Sequence, residues 1–300
     1  VNSTAKIYYF IQMSIKKFLS NYFKKNKIRK NALIKIADAS DLIKHISTLK
    51  LTQNLITLSQ TKNPMLKYGH KVFSQNDEDG IIQEIYNRLD LSSSKNFLEI
   101  GVGDGSENNT LNLLTKNWKG IWLGGEQLAY NPDKERLIFE RCWITKDNIV
   151  NITRSKMAEA HISSIELISI DIDGNDWQIV DELLSNSIHP DCFIVEYNGT
   201  FDAYTHWVMP YNEEHVWDGS AYFSASISAY QKLFDSYGYF LVACNITGSN
   251  AFFVRSIHKS KFPEIPIDWH EIYTRANYIS YPYLGHVISH RLISEIIESQ

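Results

Sequence analysis

No apolar run in the chain approaches the ~18 residues that a membrane-crossing helix needs, so the sequence offers no candidate span. Proline is scarce, with 7 in 300 residues, and glycine stops at 14. That excludes collagen-like and low-complexity chains and leaves a globular composition, 44% hydrophobic and 21% charged. Cysteine is scarcer still. Cys142, Cys192 and Cys244 lie far apart in apolar runs, which excludes a cysteine zinc motif and speaks against a disulfide framework; all three read as reduced core thiols. An excess of positive charge is also missing: the formal net charge is -4, which gives no whole-protein case for a nucleic-acid partner.

Acidic residues are absent up to Asp38, while Lys16, Lys17, Lys24, Lys25, Lys27, Arg29 and Lys30 cluster there. Ile11, Ile15, Phe18, Leu19 and Tyr22 recur at helical spacing. Such a helix rests on an anionic membrane surface, or packs on its own domain or on a second copy in a homodimer. The order of features is not that of a signal peptide, because Gln12 and Ser14 interrupt the apolar part and the basic cluster follows it. The chain therefore reads as cytoplasmic. A second helical stretch, 32–59, leads into "SQTKNPMLKYG", which reads as a linker. The expected division is a helical extension over 1–65 and an α/β domain over 66–300.

From Lys67 onward the pattern changes. "SQNDEDGIIQEIYNRL" places Ser, Asn and Asp before an apolar-periodic run, a helix start. "NFLEIGVGDG", "GIWLGG", "RLIFERCWI", "IELISID" and "CFIVEYN" read as five successive strands. Helical segments such as "DWQIVDELLSNS" lie between them, and "SISAYQKLFDSYG" is a helix stopped by Gly238. "YFLVACN" and "NAFFVR" close as a hairpin around "ITGS". Strand and helix alternate, so the fold class is α/β, Rossmann-like, with a largely parallel sheet and helices on both faces. Ligands in such sheets bind beyond the carboxyl ends of the strands.

The first strand runs into "LEIGVGDGSENNT", with Glu99, Gly101, Gly103 and Gly105 in the pattern E-x-G-x-G-x-G. The glycines permit a tight turn and close approach of a ligand to the backbone. The segment from Ser106 to Thr110, Asn109 included, opens a helix and offers free N–H groups. Glu99 is a carboxylate inside an apolar strand, placed to meet a ligand carrying an ammonium group. An ordinary strand-to-helix turn is the competing reading.

These residues resemble the first motif of class I S-adenosylmethionine (SAM)-dependent methyltransferases. "SQNDEDGII", "FLEIGVGDG", "LISIDIDGNDWQI", "IVEYN" and "NAFFVR" together resemble the FkbM-like members, often found in bacterial polysaccharide clusters; the resemblance covers roughly Tyr68 to Arg255. It implies a seven-stranded sheet with an antiparallel last strand and a SAM cofactor cradled by Gly101–Gly105. It also implies an acid at the end of the second strand for the ribose hydroxyls. Gly124 stands where that acid belongs, and Glu126 follows two residues later. Asp147 and Asn148, after the third strand, are candidates to meet the adenine; a helix cap at Asp147 is the alternative.

"ISIDIDGNDWQIV" ends the fourth strand with Asp171, Asp173 and Asp176 around Gly174. In extended chain Asp171 and Asp173 point to one side, and Asp176 suits a helix cap or first turn. The fifth strand adds Glu196 and Asn198 to the same rim. Asp171, Asp173, Glu196 and Asn198 form a candidate oxygen site for Mg²⁺ or another divalent cation, which would acidify an acceptor hydroxyl. Without metal, one aspartate acts as general base, and a solvated structural rim is the third reading. The following insert, "GTFDAYTHWVMPYNEEHVWDGSAYFS", carries Phe201, Tyr204, Trp207, Tyr211, Trp217 and Tyr222 among its aromatic residues, with His206 and His215, each a further candidate base or metal ligand. Its aromatics either stack on a sugar acceptor or pack as a cover.

The expected activity is SAM-dependent O-methylation of a carbohydrate or polysaccharide-linked group, the partner being a small-molecule or glycan acceptor. The rivals are a metal-dependent glycosyltransferase using Asp171-Ile-Asp173, and a degenerate methyltransferase fold acting as a binding module.

Overall fold

A computed structural model describes residues 44, 47–48, 51–52, 54–90, 94–132, 135–277, 279–280, 283–284 and 291. The basic stretch over 11–30, with the membrane and dimer contacts expected of it, lies outside the described residues. The chain divides between Gln53 and Asn54, and everything below belongs to the second unit.

Seven of the anticipated segments form strands: β1 (Asn96–Ile100), β2 (Lys119–Gly124), β3 (Leu137–Arg141), β4 (Leu167–Ile170), β5 (Cys192–Glu196), β6 (Tyr239–Cys244) and β7 (Asn250–Arg255). They join in one sheet of order β3-β2-β1-β4-β5-β7-β6. The first five are parallel, and β7 runs antiparallel between β5 and β6. This is the largely parallel, Rossmann-like α/β arrangement that the sequence pattern led us to expect, hairpin included. The order reverses at β1 and β4, and a cleft opens at such a switch point beyond the strand ends.

Both faces of the sheet are covered, which is why the strands read as nearly continuous apolar runs. Leu98, Ile100, Ile121, Leu123, Ile168, Ile170, Phe193 and Val195 fill one face. Helices α3 (Lys146–Glu159), α4 (Asp176–Ser185) and α5 (Ile227–Ser236) supply Ile149, Ile179, Leu183, Tyr230 and Phe234 to that core. Phe97, Trp122, Leu167, Ile194 and Phe252 fill the other face, against Ile81, Ile82, Ile85 and Leu89 of α1 (Glu78–Leu89). Side chains alternate along a strand with period two. Glu99, two residues after Phe97, therefore lies on the α1 face; so do Glu196 after Ile194 and Asn250 before Phe252. Polar groups thus collect on one face, at the carboxyl rim of the sheet.

α5 begins with the Ser226 side chain accepting the Ala229 amide, and the chain leaves it through Gly238 at φ +75°. The stretch read as a linker is packed instead. Pro64–Tyr68 is a 3₁₀ turn whose Met65 and Leu66 are buried in the α1-side core. Asn63 caps it and also donates to the Cys244 carbonyl at 3.0 Å. Cys142, Cys192 and Cys244 are free thiols, as expected. No helix among the described residues is long and apolar enough to cross a membrane.

Candidate active site

The loop after β1 is shaped by contact with β4. Gly101 has φ +92°, and a Cβ there would stand 1.6 Å from the Asp171 carbonyl oxygen. Only glycine lets the two strand ends approach so closely. Gly103, at φ +53°, has nothing within 4 Å of its missing Cβ, so its backbone faces open space. Gly101 and Gly103 form the floor of a half-open cavity of about 220 Å³. That is below the ~300–1,000 Å³ of typical small-molecule sites, so it encloses one end of a ligand rather than the whole. Gly105 stands outside it; its carbonyl accepts the Tyr130 hydroxyl at 2.8 Å.

The walls come from three strand ends and the insert. Gly124 ends β2, and Gly125 and Glu126 follow it. A Cβ on Gly124 would meet the Val102 side chain at 3.0 Å, so a side chain at this position would need Val102 to give by a few tenths of an ångström. Glu126 is exposed and lines the cavity, which puts a carboxylate within the site by the longer loop path. Cys142, Trp143 and Ile144 line the side beyond β3. Trp143 is 54% exposed and donates its indole N–H to the Glu213 carbonyl at 2.8 Å. Its aromatic face was missed in the sequence, although "RCWITKDN" places it beside the residues chosen there.

Those neighbours have another use. Asn148 accepts the Thr145 amide at 2.9 Å and donates to the Trp143 carbonyl at 2.8 Å, closing a capping box with Thr145 at the start of α3. Asp147 sits exposed in the first turn of α3, and neither residue lines the cavity. On this side the cavity is lined by Trp143 and Ile144 instead. Asn148→Ala should lower unfolding stability by about 1 kcal/mol through loss of the cap, and leave nucleoside affinity unchanged in a calorimetric titration. A clear drop in affinity would restore Asn148 to the site.

Glu99 also answers to its own chain. It is 5% exposed and accepts from the Asn109 amide (2.8 Å), the Thr110 amide (3.1 Å) and the Thr110 hydroxyl. Burial pushes its pKa up, and these bonds oppose the rise. The carboxylate thus binds the helix-start N–H groups that were expected to meet a ligand, and it does not line the cavity. The Asn109 side chain is likewise engaged, donating to Ser169 Oγ at 3.0 Å. Glu99 and Asn109 pin the glycine loop to the sheet.

At the far end the aspartates converge, by a different turn from the one expected. Asp173, not Gly174, takes the left-handed conformation, φ +54°. Gly174 is needed for another reason: a Cβ there would strike His215 Cδ2 at 2.4 Å. Asp176 reaches back to the amides of Ile172 (2.8 Å) and Gly174 (2.9 Å) and fixes the loop; its burial raises its pKa to about 6. Asp171, Asp173 and Glu196 each bring one carboxylate oxygen within 4.8 Å of the others. Desolvation holds Asp171 and Glu196 well above the usual carboxylate range, and neighbouring charge adds to it, from Asp173 and Asp176 on Asp171 and from Asp171 on Glu196. Asp173 is raised too, by desolvation, with His215 opposing.

Asn198 departs from its expected role. Its amide donates to the carbonyls of Ala221 (2.9 Å) and Phe223 (3.1 Å), and its oxygen accepts the Thr200 amide at 3.2 Å. It clamps the insert rather than facing the carboxylates. His206 is exposed and away from the cavity lining, whereas His215 lines it and sets Nε2 3.2 Å from the Asp173 carbonyl. A carbonyl only accepts, so Nε2 carries the proton. The aromatics of the insert divide. Phe201, Trp207 and Tyr222 pack with Met209 and Ala221 in a small core of their own, a cover rather than a sugar platform. The strand of insert above the cavity is tied down by a reciprocal pair, Asn175 to the Asn212 carbonyl (2.8 Å) and the Asn212 amide to Asn175 (3.1 Å).

The charged side chains lining the cavity are Glu126, Asp171 and Asp173, joined by His215, with no lysine or arginine among the described residues. The site is a glycine-floored, carboxylate-walled cleft at the switch point of the sheet.

No protein family profile matches the chain, and no curated protein matches it. Solved structures do. One, from Plasmodium falciparum, is described as a ribosomal RNA methyltransferase; it is 14% identical over 58% of this chain and 92% of its own, with a TM-score of 0.36. A protein from Lactococcus lactis described as a hemolysin is 14% identical over 62% of this chain and 90% of its own, TM-score 0.36. CalO1, a methyltransferase in calicheamicin biosynthesis with S-adenosylhomocysteine bound, is 14% identical over 69% of each chain, TM-score 0.32. The fold assignment rests on the strand order and register given above.

Proposed function

We propose that the chain is a SAM-dependent O-methyltransferase acting on a hydroxyl of a carbohydrate or polysaccharide-linked acceptor. The observation that carries this reading is the charge of the cleft. A glycine floor open at Gly103 leads into walls whose charged groups are carboxylates. Such a field favours a cationic ligand and opposes a nucleoside diphosphate. SAM, when bound, supplies a methyl group on a positively charged sulfonium. Gly101 and Gly103 would take its amino-acid end, Glu126 its ribose hydroxyls and Trp143 with Ile144 its adenine. The acceptor hydroxyl would lie at the Asp171–Asp173 rim, where a carboxylate takes its proton as the new C–O bond forms and the C–S bond breaks. A divalent ion at these carboxylates would lower the pKa of a coordinated hydroxyl. Holding donor and acceptor in line supplies much of the remaining acceleration. The acceptor class is supported by the FkbM-like pattern of motifs.

Calorimetric titration with SAM, S-adenosylhomocysteine and UDP- or CDP-sugars, each with and without Mg²⁺ or Mn²⁺, tests the proposal. Binding of SAM and S-adenosylhomocysteine without any nucleotide-sugar is the expected result. Binding only of a nucleotide-sugar with metal would replace this reading with a glycosyltransferase, and no binding of any would leave a binding module.

A further inference from the structure

Across the β5–β7 register, Asn250 stands directly opposite Glu196. Opposed residues of an antiparallel pair share a face, with Cβ atoms ~4.5–5.5 Å apart. The Asn250 side chain is 3% exposed. Its Nδ2 donates to Glu78 Oε1 at 3.1 Å, and its Oδ1 is buried with no hydrogen-bond partner. Glu196 Oε2 is buried without one as well. Beside them, Asp171, Asp173 and Glu196 hold their carboxylate oxygens within 4.8 Å of one another. Ionised carboxylates and an amide oxygen are acceptors only, so with these carboxyls ionised, and no proton shared between Asp171 and Glu196, nothing within this group satisfies the two orphaned atoms. A bound cation does, and an all-oxygen set of acids plus one neutral carbonyl is the chemistry of Mg²⁺, Mn²⁺ or Ca²⁺.

We propose that Asp171, Asp173, Glu196 and Asn250 hold one hard divalent cation, with Asn250 Oδ1 as the neutral ligand. Asn250 takes the place that Asn198 was expected to fill, since the Asn198 amide is engaged by the insert. Glu78, 0% exposed, is held by Asn245 Nδ2 (2.7 Å) as well as Asn250 Nδ2, and so fixes the Nδ2 end of the Asn250 amide on Glu78 and leaves Oδ1 as the end without a partner. Asn250 belongs to the hairpin on the far side of β5 from the glycine loop. The cation would therefore tie β4, β5 and β7 together at the acceptor end of the cleft. What the cation does there rests on the methyltransferase reading; its binding does not.

The test uses the full chain stripped with EDTA and titrated with MnCl₂, by calorimetry and by the electron spin resonance of free Mn²⁺. One saturable site is expected. Asn250→Ala should weaken it roughly tenfold or more, and Asp171→Asn by more than that, since a direct ligand counts for at least as much as the outer-shell partners of a metal. Asn250→Asp, which keeps an oxygen and adds charge, should restore the affinity or exceed it. Circular dichroism establishes that each variant is folded before its affinity is compared. A wild-type chain with no saturable Mn²⁺ site overturns the proposal, whatever the variants do. So does wild-type affinity in folded Asn250→Ala. SAM is titrated into the same samples. A Mn²⁺ site without SAM binding sinks the methyltransferase reading and keeps the cation; SAM binding without a Mn²⁺ site does the reverse.

Discussion

Gly101→Ala should abolish SAM binding and lower the free energy of unfolding by at least about 3 kcal/mol, beyond the ~1–3 kcal/mol usual for overpacking. Two penalties act together. The residue sits at φ +92°, which an L side chain rarely adopts, and the new Cβ would lie 1.6 Å from the Asp171 carbonyl oxygen and 2.5 Å from its carbon. Backbone cannot rotate aside as a flexible side chain does. Relief requires separating β1 from β4, which are held there by the Asp171 amide on the Ile100 carbonyl at 3.0 Å, while the Gly101 amide on the Leu123 carbonyl at 2.9 Å ties the other edge of β1 to β2. The same movement would carry Asp171 away from Glu196. Gly103→Ala is the control. Its φ of +53° implies a strain of ~1–2 kcal/mol for a non-glycine residue, but no atom within 4 Å opposes the methyl group. That variant should fold and lose cofactor affinity, because the methyl group enters the cleft. Urea unfolding and SAM calorimetry on both variants separate the effects. A Gly101→Ala protein with unchanged affinity and a loss under ~1 kcal/mol would mean that the β1–β4 contact is looser than described.

The sheet and its rim were legible because apolar runs of five or six residues ended in glycines and acids. A strand buried on both faces leaves no other signature, and the polar residues that interrupt it mark where it meets solvent or ligand. What each polar atom touches was not legible. Glu99 looked like an acid waiting for a ligand, and nothing in "LEIGVGDGSENNT" says that Thr110 folds back onto it. Asn198 looked like a metal ligand because it follows Glu196 in "EYN". The better-placed amide, Asn250, is more than fifty positions away, and only the register of β5 with β7 brings it opposite Glu196. Asn148 shows a third kind of difficulty. A residue three positions after Thr145 is a cap by local rule, and that rule competed with an expectation carried from the strand order. Local chemistry prevailed.

Asp171→Asn should separate stability from activity. In divalent-free buffer the Asp171–Glu196 pair is a liability to the fold, because both carboxyls are desolvated and repel each other, which raises their folded pKa values. For acids raised on folding, the native state holds more protons than the unfolded chain. The stability this contributes is complete below the unfolded values near ~4 and is lost as pH rises through the folded ones. Asp176, at about 6, and Asp77, raised to about 7 by burial, titrate with the same sign. Wild-type stability should therefore fall between about pH 4 and pH 7 in EDTA, as far as these groups decide it. Removing one charge of the pair should make Asp171→Asn more stable than wild type at pH 7 in urea unfolding. That margin should shrink toward pH 4 and vanish below it, where the wild-type pair becomes protonated in both states. Turnover should drop by a factor of ~10² or more, since the acceptor hydroxyl loses its proton-accepting or cation-holding carboxylate. SAM affinity should change far less than turnover, because the glycine loop and Trp143 remain in place. Urea unfolding from pH 4 to 8, methyl transfer from labelled SAM and SAM calorimetry on the same preparation make the comparison. An Asp171→Asn protein less stable than wild type at pH 7 would show that the carboxylate holds the fold together instead of straining it. A fully active one would move the acceptor site away from the β4 rim.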